Sequence, residues 1–379
     1  MFIKNIKLKN FRNYNDIDIN LDKEINIFYG NNAEGKTNFL ESIYICSTTK
    51  SYKNVSEREI IKFEEKESHI KIILYKENLT KKENAIDIQI NKERKKGIAL
   101  NGVKIDKASE YIGFFTVVLF APEDLNIIRE GPSARRKFLD IEMCQIDKIY
   151  VNVISKYKKI LNERNVVLKD IKESTGANKN DLLFLLDTYD EQIATYGIEI
   201  IKKRKKNIEE LKKFVKDLYI NITEEKEKIE IFYENDLLSI LKEEEKAKEV
   251  YLERLKEDRE KDIKNCFTSF GPHRDDIKIS IDDSDLRKFG SQGQKKTAAI
   301  CLKLAELNII KEKRNEMPVL LLDDVFSELD ENRQMKLISN IKGIQTIITC
   351  TGMKKNIFEL LRPNKIFQVI DNKIIEKSK

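Results

Sequence analysis

Cysteine is scarce in this 379-residue chain: five residues, Cys46, Cys144, Cys266, Cys301 and Cys350, with no C-x-x-C pair among them. Their odd number and wide scatter exclude a disulfide framework, argue against structural zinc and fit a reducing cytoplasm. Histidine is rarer still, with only His69 and His273. Five prolines and thirteen glycines exclude a collagen-like chain. No stretch approaches the roughly twenty apolar residues of a membrane span. The opening MFIKNIKLKNFRNY has no continuous apolar segment of the secretory kind. The expectation is a soluble, cytoplasmic protein that neither inserts in a membrane nor docks on one.

What is present is charge: 36% of residues are Asp, Glu, Lys or Arg, beside 40% hydrophobic. That is well above the roughly 25% charged content of an ordinary globular domain and indicates long solvated helices. A net charge of +6 makes an anionic partner plausible, but the mixture of signs does not identify one.

Periodicity divides the chain. Alternation at Ile3, Ile6 and Leu8, then at Ile17, Ile19 and Leu21, predicts strands, and the run from Ile25 to Tyr29 predicts another. After Gly30 the period becomes helical through Phe39, Leu40, Ile43 and Tyr44. Strands return at 70–75 and 85–90, with an Asn101–Gly102 turn between two further short ones. From about Pro122 long helices take over. Ile146, Tyr150, Val153, Tyr157, Ile160, Val167 and Ile171 follow a heptad stripe in which Arg164 is the one polar seam position. A breaker at 174–180 leads to a second stripe from Leu182 to Leu218, so the two helices are expected to pack antiparallel. At 1.5 Å per residue each reaches roughly 40 Å. Such a pair either projects as an arm or docks as core; both fit the pattern. A strand at 229–233 and a charged helix over 237–263 follow. The remainder alternates helices with apolar strands, including 319–322 and 346–349, which indicates a mostly parallel sheet covered on both faces.

Gly30, Asn31, Asn32, Ala33, Glu34, Gly35, Lys36 and Thr37 spell G-x-x-x-x-G-K-[ST] between a predicted strand and a predicted helix. Glycines at both ends let backbone N–H groups turn inward around phosphate oxygens, Lys36 can reach the β- and γ-phosphates, and Thr37 can ligate Mg²⁺. Downstream, the apolar run from Val319 ends in Asp323 and Asp324. Asp323 suits the hydrated Mg²⁺, and Asp324 is placed to orient or deprotonate an attacking water. Ser291, Gln292, Gly293 and Gln294 open a predicted helix. Alone they read as a helix cap; beside a complete phosphate loop they become the expected contact with the γ-phosphate of a nucleotide bound to the opposite subunit.

The order of these motifs, with the Ser327 to Asp330 loop, resembles ABC-type P-loop ATPase heads of chromosome maintenance and repair. In detail the chain resembles the bacterial RecF family of recombination mediators, through 10–14 (NFRNY), 30–41 (GNNAEGKTNFLE), 120–125 (FAPEDL), 135–140 (RRKFLD), 271–276 (GPHRDD) and 321–330 (LLDDVFSELD). The resemblance spans essentially the whole chain. It implies an α/β fold with a head of two lobes, a mixed sheet plus antiparallel strands, built from residues 1–122 and 264–379, with a helical arm domain of 123–263 inserted. It implies an ATP-dependent homodimer holding two nucleotides, each between Lys36 and Thr37 of one subunit and Ser291 and Gly293 of the other. Asn38 extends the ATP contacts, Arg12 approaches the phosphates, and Asp330 lies in a loop crossing the interface. The implied activity is a weak, DNA-stimulated ATPase that binds DNA at gaps or junctions. With RecO and RecR it promotes RecA loading, post-replication repair and SOS induction.

Two departures stand out. Many ABC heads carry Glu where this chain has the shorter Asp324, which suggests weak hydrolysis, and no histidine follows Thr349 to Thr351 where transporter heads place a switch. His273 and Arg274 fit a structural turn held by Asp275 or Asp276 as well as they fit a catalytic role. Two readings compete from other classes: a transporter-energising subunit, against which the continuous helices speak, and a small-molecule kinase or GTPase. No N-K-x-D guanine reader follows the phosphate loop. Nor is there a cysteine at 174–180, as a zinc-hook ATPase would need.

Overall fold

The structure, a computed structural model, describes residues 1–53, 55–175, 177–224, 227–240, 244–352 and 355–377. Backbone contacts divide the chain into two units: Met1–Asn126, Asp217–Lys226 and Ser291–Lys379 form one, Ile127–Lys216 and Glu227–Gly290 the other.

The first unit begins with β1 (Phe2–Phe11), β2 (Tyr14–Asn20) and β3 (Ile25–Tyr29), followed by the helix Lys36–Thr48. Four strands come next: β4 (Glu67–Tyr75), β5 (Glu83–Asn91), β6 (Gly97–Leu100) and β7 (Val103–Ile105). They join β1 and β2 in an antiparallel sheet of order β2-β1-β4-β5-β6-β7. Alternation sets its inner face: Ile6 lies between Ile19 and Ile72, and Ile70 faces Ile88, while Lys7 and Lys9 point outward. The β6–β7 turn has φ of 56° at Asn101 and 81° at Gly102, as a tight hairpin requires. β8 (Val117–Phe120) is fully buried.

The second unit is mainly helical: Pro132–Ile146, Lys148–Glu173 and most of the 47-residue Ala177–Thr223. The two long helices run antiparallel. Lys203 pairs with Asp147 near one end, Arg164 with Asp190 in the middle, and Leu168 and Ile171 cluster with Leu186 toward the other end. Arg164, the polar residue in the heptad seam, is fully buried and bonded to Asp190 at 2.7 Å, Asp262 at 2.9 Å and the Thr268 hydroxyl at 2.8 Å. Removing one partner of such a pair strands the other charge in the core. Arg164→Leu is expected to destabilise this unit by about 3–5 kcal/mol, read by urea denaturation.

A single helix over 237–263 was expected. The described residues instead form Asp236–Ile240, Ala247–Glu257 and Arg259–Asn265, with 241–243 outside the description. The break at Asp258 has φ −81° and ψ −1°, and Cys266 ends the last helix with φ 57°. β9 (Ile229–Glu234) pairs with β10 (Asp276–Ile281), to which β11 (Ser284–Asp285) adds an edge. This pairing, together with the bidentate grip of Arg135 on Asp276, carries 264–290 into the second unit rather than into a head of 264–379.

His273 sits in the same unit as a structural residue. Its Nε2 donates to the Thr268 carbonyl at 2.9 Å, and its Nδ1 lies 2.6 Å from the Tyr157 hydroxyl, which donates to it when the ring is neutral. Burial pushes its pKa down from 6.5 to about 4, with Arg274, Arg136 and Arg164 adding to the effect and the Thr268 bond opposing it. Because the folded pKa lies below the unfolded one, protonation favours unfolding. The contribution of His273 to stability is present above about 6.5 and is lost as pH falls toward about 4. Wild-type stability, compared with that of His273→Gln across this window, should show the larger acid loss.

The first unit is completed by β12 (Val319–Asp323), β13 (Thr346–Cys350), β14 (Lys365–Ile370) and β15 (Lys373–Lys377), in a sheet of order β15-β14-β3-β13-β12-β8. All its pairings are parallel except that of β14 with β15. The helices Gln292–Arg314 and Glu331–Asn340 belong to this unit. Phe28 on β3 packs between Phe39 of the following helix and Phe367 of β14, with ring centroids at 4.5 and 4.6 Å. This stack seats the strand-to-helix crossing where the phosphate loop lies.

Candidate nucleotide site

Six residues, Gly30 to Gly35, carry the chain from β3 into the helix Lys36–Thr48. Gly30 is a steric requirement, since a Cβ there would overlap the Val369 carbonyl oxygen of the backbone, whereas at Gly35 a Cβ would have to displace the Asn13 side chain. Gly35 also has φ of +105°, and Ala33 has φ of 68°. The outside of the loop is held from two directions. Asn13 donates to the Glu34 carbonyl at 3.3 Å and Tyr14 to the Gly35 carbonyl at 3.0 Å, while Glu34 accepts the Asp371 amide at 2.7 Å. Asn38 donates to Asn13 at 2.9 Å and accepts from Lys53 at 3.0 Å. Asn31 and Asn32 remain at the loop's accessible edge.

Lys36 folds back over the loop, its ammonium donating to the carbonyls of Gly30 at 2.8 Å and Asn31 at 2.7 Å. Thr37 donates its hydroxyl to Asp323 Oδ1 at 2.9 Å, joining residues 286 positions apart in sequence. Asp323 ends β12, is 4% exposed, and also accepts from Thr349 at 2.7 Å and from Tyr52 at 3.2 Å. Burial first, then the charges of Asp323 and Glu41, hold the Tyr52 phenol well above its usual pKa, so it is a donor. A buried carboxylate surrounded by hydroxyls, with no cation among these bonds, suits a divalent ion. Asp324 turns away with φ of 51°, its amide bonded to Thr349 at 3.1 and 3.2 Å. Burial pushes the Cys350 thiol up to about 11, with the charge of Asp324 adding to the shift and that of Lys36 opposing it.

The Arg12 guanidinium grips buried Glu41 through Nε at 3.0 Å and Nη2 at 2.7 Å, and donates to the Glu59 carbonyl at 2.8 Å. Ser291 and Gln294 form a reciprocal cap. The Gln294 amide donates to Ser291 Oγ at 3.2 Å and the Ser291 amide to Gln294 Oε1 at 2.8 Å. Ser291 and Gln292 are exposed and Gly293 is half-buried, so this turn is a helix cap that also faces outward. Asp330 caps the helix Glu331–Asn340 and pairs with Arg333; burial raises its pKa, but the Arg333 bonds outweigh that and hold it low.

Motif reading did not single out Tyr52, Thr349 as a partner of Asp323, Glu41 as the partner of Arg12, or Arg333. None carries a spacing signal, since each meets its partner only through tertiary folding; a bidentate acceptor for Arg12 was the one need that could be foreseen.

A mixed sheet with a phosphate loop after its central strand, two acids at the end of the next strand but one and an antiparallel sheet in the same unit define a P-loop head of the SMC type. The profile of the RecF/RecN/SMC N-terminal domain family matches residues 2–374. Solved SMC heads share the fold: one from Pyrococcus furiosus superposes with a TM-score of 0.55 at 16% identity. Within this class the chain belongs to the RecF family. It is 46% identical to the DNA replication and repair protein RecF of Agathobacter rectalis, over 99% of each chain. The Clostridium tetani protein of the same name is 45% identical, over 99% of this chain and all of its own. A solved structure of the recombination mediator protein RecF with ATP, in the RecFOR pathway, matches with a TM-score of 0.91 at 37% identity, over 100% of this chain and 98% of its own. Among the described residues, no helix is long and apolar enough to cross a membrane.

Proposed function

We propose that the chain is a replication and repair ATPase that binds ATP with Mg²⁺ and uses slow hydrolysis as a switch. The observation that carries this reading is the bond of Thr37 to Asp323 beside Lys36, which assembles a phosphate loop and a cation-binding acid from opposite ends of the sequence. Backbone amides from Asn31 to Asn38 face the phosphates, and Lys36 exchanges its two carbonyl partners for phosphate oxygens. Thr37 and Asp323 would hold Mg²⁺, which would supply charge neutralisation to the nucleotide's phosphates. Asp324 orients the water and takes its proton.

Ser291 to Gln294 of one subunit meet the γ-phosphate of a nucleotide held by the other, and Asp330 crosses the same interface, so ATP closes a homodimer. The closed dimer holds DNA, with preference for duplex bearing a single-strand gap or junction, and works with RecR and RecO in loading RecA, in post-replication repair and in SOS induction. The relatives' names support the role in replication and repair, and the RecF–ATP structure supports ATP binding and the RecFOR pathway. Phosphate contact by Arg12 would use the N–H groups of Nη1 and Nη2 that its bonds to Glu41 and the Glu59 carbonyl leave over.

Nucleotide competition tests the reading against a GTPase or small-molecule kinase. ATP should displace a labelled ATP analogue and GTP should not, and turnover should rise with gapped DNA rather than with small-molecule acceptors. Equal displacement by GTP, or turnover indifferent to DNA, would contradict it.

A further inference from the structure

We infer that Arg333 is a positioning residue that locks the Ser291–Gly293 turn to the Asp330 loop, so that the two surfaces a second copy of this chain must meet are presented at one fixed spacing. The inference rests on the homodimer reading above and names the device that would make the subunit surface self-consistent.

Arg333 belongs to the first turn of the helix Glu331–Asn340. Its own amide donates to Asp330 Oδ1 at 3.0 Å, and its Nη1 pairs with Asp330 Oδ2. The rest of the fork points at another element: Nε donates to the Thr297 hydroxyl at 2.8 Å and Nη2 to the Gly293 carbonyl at 3.3 Å. Thr297, 1% exposed, donates in turn to the same Gly293 carbonyl at 2.9 Å. One guanidinium therefore closes a ring of bonds around the first turn of the helix Gln292–Arg314 and ties it to a residue 40 positions away.

Stability is a poor explanation for this arrangement. The Arg333 and Asp330 side chains are 27% and 50% exposed, and an ion pair at that exposure is worth little. What a planar fork supplies is geometry: three acceptors at fixed angles, which a lysine ammonium on a flexible stem does not reproduce. Gly293 suits this approach, since an added Cβ would lie 3.3 Å from Arg333 Nη2. The turn carrying Ser291 and the loop carrying Asp330 then move as one body, with a positive charge held beside the helix N-terminus.

The test uses Arg333→Lys, Arg333→Gln and Thr297→Val in the full chain. Sedimentation velocity with ATP should show dimerisation weakened by about tenfold in both Arg333 variants, while monomer affinity for a fluorescent ATP analogue stays within about twofold. Thr297→Val combined with Arg333→Gln should be no worse than Arg333→Gln alone, as members of one network behave. Wild-type dimerisation in Arg333→Lys would overturn the inference, since charge alone would then suffice.

Amide exchange on the ATP-free chain separates this from failure of the dimer reading. Arg333→Gln should speed exchange in 293–297 and 330–333 together. Faster exchange in 330–333 alone overturns the coupling. Coupled exchange in a chain that never dimerises retains the coupling and refutes the dimer.

Discussion

Ser291→Arg should bind ATP as tightly as the unsubstituted chain and yet form no ATP-dependent dimer, with turnover lowered by roughly a hundredfold or more. Ser291 has two separable roles, one within its own subunit and one toward a second. As a cap, Ser291 accepts one amide, and losing it costs about 1 kcal/mol. The Arg chain should therefore fold, with a small drop in Tm. Ser291 is exposed, so nothing within the subunit resists a longer side chain there. Lys36, Thr37 and Asp323 keep every contact described for them. Only a second subunit's nucleotide would meet the added bulk. A Ser291→Arg protein that dimerised with ATP would reduce the turn to a helix cap.

Asp324→Asn should keep nucleotide binding and lose turnover by about 10²–10⁴-fold, the usual cost of removing a general base. The substitution is conservative for the backbone. Asp324 has φ of 51°, a region that Asn enters as readily as Asp, and its amide bonds to Thr349 do not involve the side chain. Lost turnover with normal affinity would place Asp324 at the chemical step. Turnover unchanged in Asp324→Asn would remove it from that role and leave the water to be activated by another group.

The parts of the site confined to one short segment were legible in the sequence. The loop from Gly30 to Thr37 obeys a local rule, because backbone turning and helix onset are set within eight residues, and the acids ending 319–324 follow from abrupt polarity after a buried run. The heptad stripe showed Arg164 as its polar exception but not the remedy, since Asp190 lies on the antiparallel helix and Asp262 lies 98 residues away. The same limit hid Thr349, whose hydroxyl reaches Asp323 only when β12 and β13 are side by side, and Tyr52, which lies 271 residues from that carboxylate. The single helix expected over 237–263 failed for a different reason: its charge pattern is helical throughout, and nothing in it marks the break at Asp258. The arm boundary at 263 likewise overlooked the pairing of β9 with β10, a contact between segments more than forty residues apart.

On the proposed function, ATP closes two copies of this chain on DNA. Sedimentation velocity of Asp324→Asn with labelled gapped duplex, with and without Mg-ATP, tests it most directly, because the slowed variant should accumulate in the closed state. The account predicts labelled DNA moving with a protein dimer only when ATP is present. A protein that stays monomeric, and whose hold on DNA is the same with and without ATP, would contradict it.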